Sequence, residues 1–220
     1  MLFHALNLLK SRYDFCFAIQ NTVNSFKICV AVRRTAEWKI KMNYATIKEL
    51  DVANGTGVRV SLFVSGCTHH CPGCFNSEAW DFNYGSEYTE ETEEKILKLL
   101  SRSYINGFSL LGGEPFEPCN QRVLVKLLEK IKKAYPEKTV WCYTGYLYDD
   151  ELKKDSRARC EVTDSMLDMI DVLVDGRFVA EKKNLNLRFR GSSNQRVIDL
   201  NKTRENGTVT LWEGLKGEKI

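Results

Sequence analysis

Short apolar runs alternate with longer amphipathic stretches from Val58 onward, and each apolar run breaks into a loop rich in cysteine or glycine. Val58 to Val64 reads as a strand that ends at a group of cysteines. Thr89 then caps a helix with Glu90 and Glu91 in its first turn, and Ile96, Leu97, Leu99 and Leu100 supply its buried face. Phe108 to Leu111 is a short buried strand running into Gly112-Gly113-Glu114-Pro115, after which Val123, Leu124, Leu127, Leu128 and Ile131 recur at helical spacing. Thr139 to Tyr143 predicts a third strand, Asp149 to Lys154 and Asp164 to Ile170 predict helices, and Val172 to Val174 predicts a fourth strand ending at Asp175-Gly176. Alternating strand and helix implies a parallel sheet, because parallel neighbours need a long crossover. Residues 42–220 number 179, whereas a closed eight-unit barrel takes about 200 to 250. The economical architecture is therefore an α/β fold in which the barrel is incomplete and open-sided. Sites in such folds lie at the carboxyl ends of the strands, where the cysteines, the Gly-Gly-Glu-Pro and the Asp-Gly all fall.

Cys67, Cys71 and Cys74 stand at C-x3-C-x2-C spacing in Ser65-Gly66-Cys67-Thr68-His69-His70-Cys71-Pro72-Gly73-Cys74-Phe75-Asn76. A structural zinc or an ordinary four-iron cluster takes four protein ligands, so a tight group of three leaves one coordination position open for chemistry. His69 or His70 could complete a Cys3His zinc site instead, which would make the chain a metal-stabilised interaction module. Gly112 and Gly113 alone describe an ordinary turn. Next to a cysteine loop on the preceding strand, they become a place where backbone can approach a ligand. Cys119, Cys142 and Cys160 are widely spaced and read as buried or incidental thiols. Asp175 reads as either a turn-capping residue or part of the site.

The formal charge of +3 conceals an uneven distribution. Residues 1–41 hold seven of the 32 basic and two of the 29 acidic side chains, which leaves 25 against 27 in the body. No basic stripe interleaved with aromatics stands out, so nucleic acid is not an expected partner. The stretch Phe15 to Val32 is interrupted by Gln20, Asn21, Asn24 and Lys27, too polar for a membrane span. Two domains are expected: an N-terminal extension over 1–41, dispensable and attributable to a start assigned too far upstream, and a catalytic body over 42–220. Eight clustered cysteines with no signal-peptide pattern suit a reducing, cytoplasmic compartment better than a disulfide framework.

The cysteine loop followed by Gly112-Gly113-Glu114-Pro115 resembles the radical S-adenosylmethionine superfamily. Cys71-Pro72-Gly73-Cys74-Phe75-Asn76, Val172 to Phe178, Arg190 to Arg196, Asn54 to Arg59 and Tyr143 to Tyr146 narrow the resemblance to the glycyl-radical activases that serve anaerobic ribonucleoside-triphosphate reductase. It departs from related activases at Thr56, where proline is common, at Glu114, where some have Asp, and at Cys142, an added thiol. The resemblance implies a barrel of about six units. It implies one [4Fe-4S] cluster on Cys67, Cys71 and Cys74, with S-adenosylmethionine on the fourth iron. Gly73, Cys74 and Phe75 would lie beside the nucleoside, and Gly112, Gly113 and Glu114 beside the methionyl amino group. The expected partners are the large catalytic subunit of the reductase and a flavodoxin or ferredoxin as electron donor. An activase of another glycyl-radical enzyme, such as pyruvate formate-lyase, shares the cluster and the reaction type. The Arg190 to Arg196 run is the expected substrate or partner surface.

Overall fold

The computed structural model describes residues 41–215. All of the expected N-terminal extension except Lys41 lies outside the described residues. Seven strands form one sheet: β1 (Asn43–Asp51), β2 (Arg59–Val64), β3 (Ser86–Glu87), β4 (Gly107–Gly112), β5 (Thr139–Tyr143), β6 (Val172–Asp175) and β7 (Arg196–Asp199). Their order is β3-β1-β2-β4-β5-β6-β7. The four central strands β2, β4, β5 and β6 are parallel, while β1 and β3 on one side and β7 on the other are antiparallel. The helices are α1 (Glu90–Leu100), α2 (Pro118–Ala134), α3 (Thr163–Asp168) and α4 (Leu200–Asn206).

Local chemistry places these boundaries. Thr89 accepts from the Thr92 amide while the Thr92 hydroxyl accepts from the Thr89 amide, a reciprocal cap that starts α1 at the expected residue. Pro118 opens α2, where its missing N–H costs nothing, and Lys132 and Lys133 sit in the last turn against the helix dipole. Val60, Leu62, Phe108, Leu110, Val140 and Leu173 point to the helical side of the sheet and pack with residues such as Ile96, Leu100, Leu124 and Leu127. Neighbouring positions on the strands face the other way, and Trp141, Val172, Val174 and Val197 pack there with Tyr143, Phe189 and Trp212. Because both faces are covered, the central strands are mostly apolar, broken inside β2 and β4 by the small buried Ser61 and Ser109, which is why they were legible.

Arg59 is a charged exception. It begins β2 fully buried, donating to the carbonyls of Phe108 and Thr139 at 2.7 Å each and to the Ser109 hydroxyl at 2.7 Å. Its guanidinium also lies 5.6 Å from the Trp141 ring, and burial pulls its pKa down to about 10. It therefore clips β2, β4 and β5 together at the end of the sheet opposite the cysteine loop.

Three expectations change. The sheet is open as expected, but among the described residues four parallel strands joined by three helical crossovers stand in place of about six β/α units. The sheet is instead finished at both sides by antiparallel strands. Asp149 to Lys154 is one π-helical turn over Tyr148–Leu152, and the helix expected from Asp164 to Ile170 is the shorter Thr163–Asp168. Strand β1 had no expectation attached to it: Lys48 and Glu49 put charges in an outer strand, which erases the apolar signature.

Asp175 closes β6 fully buried and faces Arg196 across the β6–β7 pair. Arg196 Nε lies 2.9 Å from Asp175 Oδ1, and the Tyr148 amide donates to Oδ2 at 2.9 Å. The residue is thus an ion-pair partner rather than a cap of its own turn. Asp175→Ala should cost about 2 kcal/mol in a urea unfolding experiment, because it leaves the Tyr148 amide and Arg196 Nε without their acceptor, while Asp149 still pairs with the guanidinium.

Candidate metal centre

The loops that follow all four parallel strands converge on one cavity of about 430 Å3. Gly66 leaves β2 with φ +91° and delivers Cys67, and its amide donates to the Ala79 carbonyl at 2.8 Å. The next turn of the loop carries His70 at φ +48°, a left-handed conformation uncommon for a residue with a side chain. Its ring is seated 4.7 Å from that of Trp80. The cavity's other walls come from the Gly112-Gly113-Glu114 turn after β4, Thr144 and Gly145 after β5, and Gly176 and Phe178 after β6. The segment from Lys183 to Gly191 crosses the remaining side.

All eight residues singled out in the sequence line this cavity: Cys67, Cys71, Gly73, Cys74, Phe75, Gly112, Gly113 and Glu114. Cys119, Cys142 and Cys160 do not. Cys142 is fully buried in the main core, and burial drives its thiol well above the ordinary value.

The glycines have a reason visible in the backbone. Gly112 has φ +115°, and a Cβ on Gly113 would sit 2.6 Å from the Gly66 carbonyl oxygen. The pair lets the β4 turn lie directly on the cysteine loop, and the Glu114 amide seals that contact by donating to the Gly66 carbonyl at 2.8 Å.

Glu114 occupies the centre, 1% exposed. Its carboxylate accepts from the Phe116 amide at 2.8 Å, the Thr144 hydroxyl at 2.8 Å and the Gly145 amide at 2.7 Å, and lies 2.9 Å from His69 Nε2. The acid is consumed by protein partners, so its role at the cavity is to hold loops together. A second acid does similar work. Glu117 accepts from the Thr68 amide at 2.9 Å and the Thr68 hydroxyl at 2.5 Å. Asn120 on α2 completes the frame by donating to the carbonyls of Ser65 and Glu114. Sequence reasoning missed Glu117 and Asn120, and met Thr144 only within the Tyr143 to Tyr146 motif, with no partner assigned to it. Nothing in their spacing marks them, since each becomes a partner only when two loops distant in sequence meet.

Each of the three thiols faces a backbone amide. The His69 and His70 amides face Cys67, the Phe178 amide faces Cys71, and the Asn76 amide lies 3.4 Å from Cys74 Sγ. Burial and then the nearby Glu114 charge push the Cys67 thiol up to about 12, against the pull of the two amides. Burial likewise raises Cys71. Among the described residues, no three of His, Cys, Asp and Glu are gathered as ligands of a single ion. The donors fit a larger group: three sulfurs on one cavity wall, each offered an N–H, match the thiolate ligands of a four-iron cluster with one iron left for another ligand.

A family profile described as a 4Fe-4S single cluster domain matches residues 53–198, from the turn before β2 to the penultimate residue of β7. The fold and the cysteine loop thus define an iron–sulfur protein of the single-cluster class. Within that class, the chain is 42% identical over 156 residues to the anaerobic ribonucleoside-triphosphate reductase-activating protein of Vibrio cholerae, covering 70% of this chain and 96% of that one. The protein of the same name from Escherichia coli K12 is 42% identical over 161 residues, 72% of this chain and 99% of that one. Enterobacteria phage T4 has another, 39% identical over 158 residues, 71% and 93%. The chain belongs to the family of anaerobic ribonucleoside-triphosphate reductase-activating proteins.

The electrostatics of the cluster-free loop are open to a direct check. Thiolates are the reactive form, so Cys67, with its pKa near 12, should be alkylated by iodoacetamide at pH 8 more slowly than Cys74. Peptide mapping by mass spectrometry reads both rates in one sample.

Proposed function

We propose that this chain is an oxidoreductase that activates anaerobic ribonucleoside-triphosphate reductase by installing a glycyl radical in its large catalytic subunit. The carrying observation is the meeting of Cys67, Cys71 and Cys74 with the Gly112-Gly113-Glu114 turn on one cavity at the carboxyl ends of the strands. A [4Fe-4S] cluster held there by Cys67, Cys71 and Cys74 would supply the one electron for reductive cleavage of S-adenosylmethionine, the chemistry that would end in removal of a hydrogen atom from a glycine α-carbon.

The chain's own residues bind, orient and shield. Cys67, Cys71 and Cys74 hold three irons through their thiolates. The Gly112-Gly113-Glu114 turn lies at the methionyl end, where glycines without side chains let the backbone come close, while Gly73, Cys74 and Phe75 flank the nucleoside. No side chain is assigned as a general acid or base, because the hydrogen atom leaves as an atom and not as a proton. The shape of the cavity rim suits a macromolecular substrate: Phe75 and Leu185 are 86% and 88% exposed and both line the cavity. Apolar side chains held out in this way favour a peptide loop entering between them. A flavodoxin or ferredoxin is the expected donor, and a reducing cytoplasm the expected setting. Among the described residues, no helix is long and apolar enough to cross a membrane.

The test is anaerobic reconstitution followed by reductant and S-adenosylmethionine, with 5′-deoxyadenosine and the electron paramagnetic resonance spectrum recorded with and without the large reductase subunit. A glycyl-radical doublet that disappears in Cys67→Ser, Cys71→Ser and Cys74→Ser is the expected outcome. Formation of 5′-deoxyadenosine with a doublet only on pyruvate formate-lyase would reassign the partner. Zinc in place of iron and sulfide would end the reading.

Residues 1–41 are proposed to be dispensable. The chain shortened to 42–220 should retain wild-type iron and sulfide content and melting temperature.

A further inference from the structure

His69 lies between two of the thiols and is held by more than its own loop. Its side chain is 2% exposed, with Nε2 2.9 Å from Glu114 Oε2 and Nδ1 without a hydrogen-bond partner. The ring meets that of Tyr146 edge-on with centroids 4.3 Å apart. Opposite, it occupies the space where Gly145 lacks a side chain: a Cβ there would come within 2.5 Å of His69 Cδ2. Burying an imidazole with a bare ring nitrogen is unfavourable, and a leucine would fill such a socket without that cost. What the imidazole adds is one directed hydrogen bond. Nε2 is the nitrogen that faces the carboxylate and is the one placed to donate to it.

That bond fixes the stretch of backbone whose amides face the Cys67 sulfur. The His69 and His70 amides both point there, and they do so through a turn that His70 completes at φ +48°. A short loop in this conformation needs an external anchor, and Glu114, itself immobilised by Phe116, Thr144 and Gly145, is that anchor.

We propose that His69 is a positioning residue: its hydrogen bond to Glu114 locks the loop so that two amides are directed at Cys67, thereby coupling the cluster loop to the Gly112-Gly113-Glu114 turn. The inference rests on the cluster reading above. Hydrogen bonds to a thiolate ligand stabilise the more negative, reduced state of a cluster, and so raise its potential. Residues that orient ligands in this way also govern retention of the metal.

The full chain, reconstituted anaerobically, tests this without the partner enzyme. His69→Leu fills the socket and removes the donor, whereas His69→Gln keeps an Nε2 donor within reach of Glu114. The readouts are iron and sulfide per chain, the rate of cluster loss to a chelator, and the midpoint potential from a titration followed by electron paramagnetic resonance. His69→Leu should lose its cluster about tenfold faster than the wild type and titrate at a lower potential, and His69→Gln should recover most of both. If His69→Leu does not fold, His69→Asn, too short to reach Glu114, takes its place against His69→Gln. Equal potentials in the reaching and non-reaching variants would overturn the proposal, even if thermal stability falls. A wild-type chain that assembles no iron–sulfur cluster would remove the functional reading itself, and is recognised by the iron and sulfide content alone.

Discussion

A single buried carboxylate organises the functional end of this molecule. Glu114 is almost wholly removed from water, and a carboxylate in that position is tolerable only when its lone pairs are all taken. Its partners come from the cysteine loop after β2, from its own turn after β4 and from the loop after β5. Satisfying one residue therefore forces three loops into contact. Glu117 and Asn120, at the start of α2, repeat the device on Thr68 and Ser65. The cysteine loop is anchored by side chains far from it in sequence.

The sheet serves the same end by different means. Its parallel centre sends four loops to one edge, while β1, β3 and β7 finish the sides. Antiparallel strands finish the open sheet at both sides, and the aromatic group of Trp141, Phe189 and Trp212 covers the face opposite the main core. The buried Arg59 secures the opposite end of the strands through backbone carbonyls, where a charge is acceptable because its donors have partners. One end of the sheet is thus fixed by a cation and the other by a carboxylate. Between them the cavity stays bordered by Phe75 and Leu185, which are held out into solvent.

The parallel strands and the first helix boundary were legible because their signals are local. Thr89 and Thr92 are three residues apart, and the apolar runs at β2, β4, β5 and β6 mark strands buried on both faces. The three thiols are equally local, since the eight positions from Cys67 to Cys74 carry them all. What escaped was everything whose meaning depends on a distant neighbour: the charged strand β1, the ion pair of Asp175 with Arg196, and the partners of Glu114. Glu114 itself was singled out, but as a residue facing a ligand, and the structure turns its carboxylate to the protein.

The sequence by itself determined the strand-and-helix alternation, the side of the sheet on which chemistry falls, and the identity of the three thiols, because each is written in spacing or periodicity within one segment. Tertiary structure alone decided where the sheet ends, which acids restrain the cysteine loop, and how far the Cys67 thiol is shifted. Those properties come from desolvation and from hydrogen bonds between segments separated by tens of residues, and neither exists until the chain has folded.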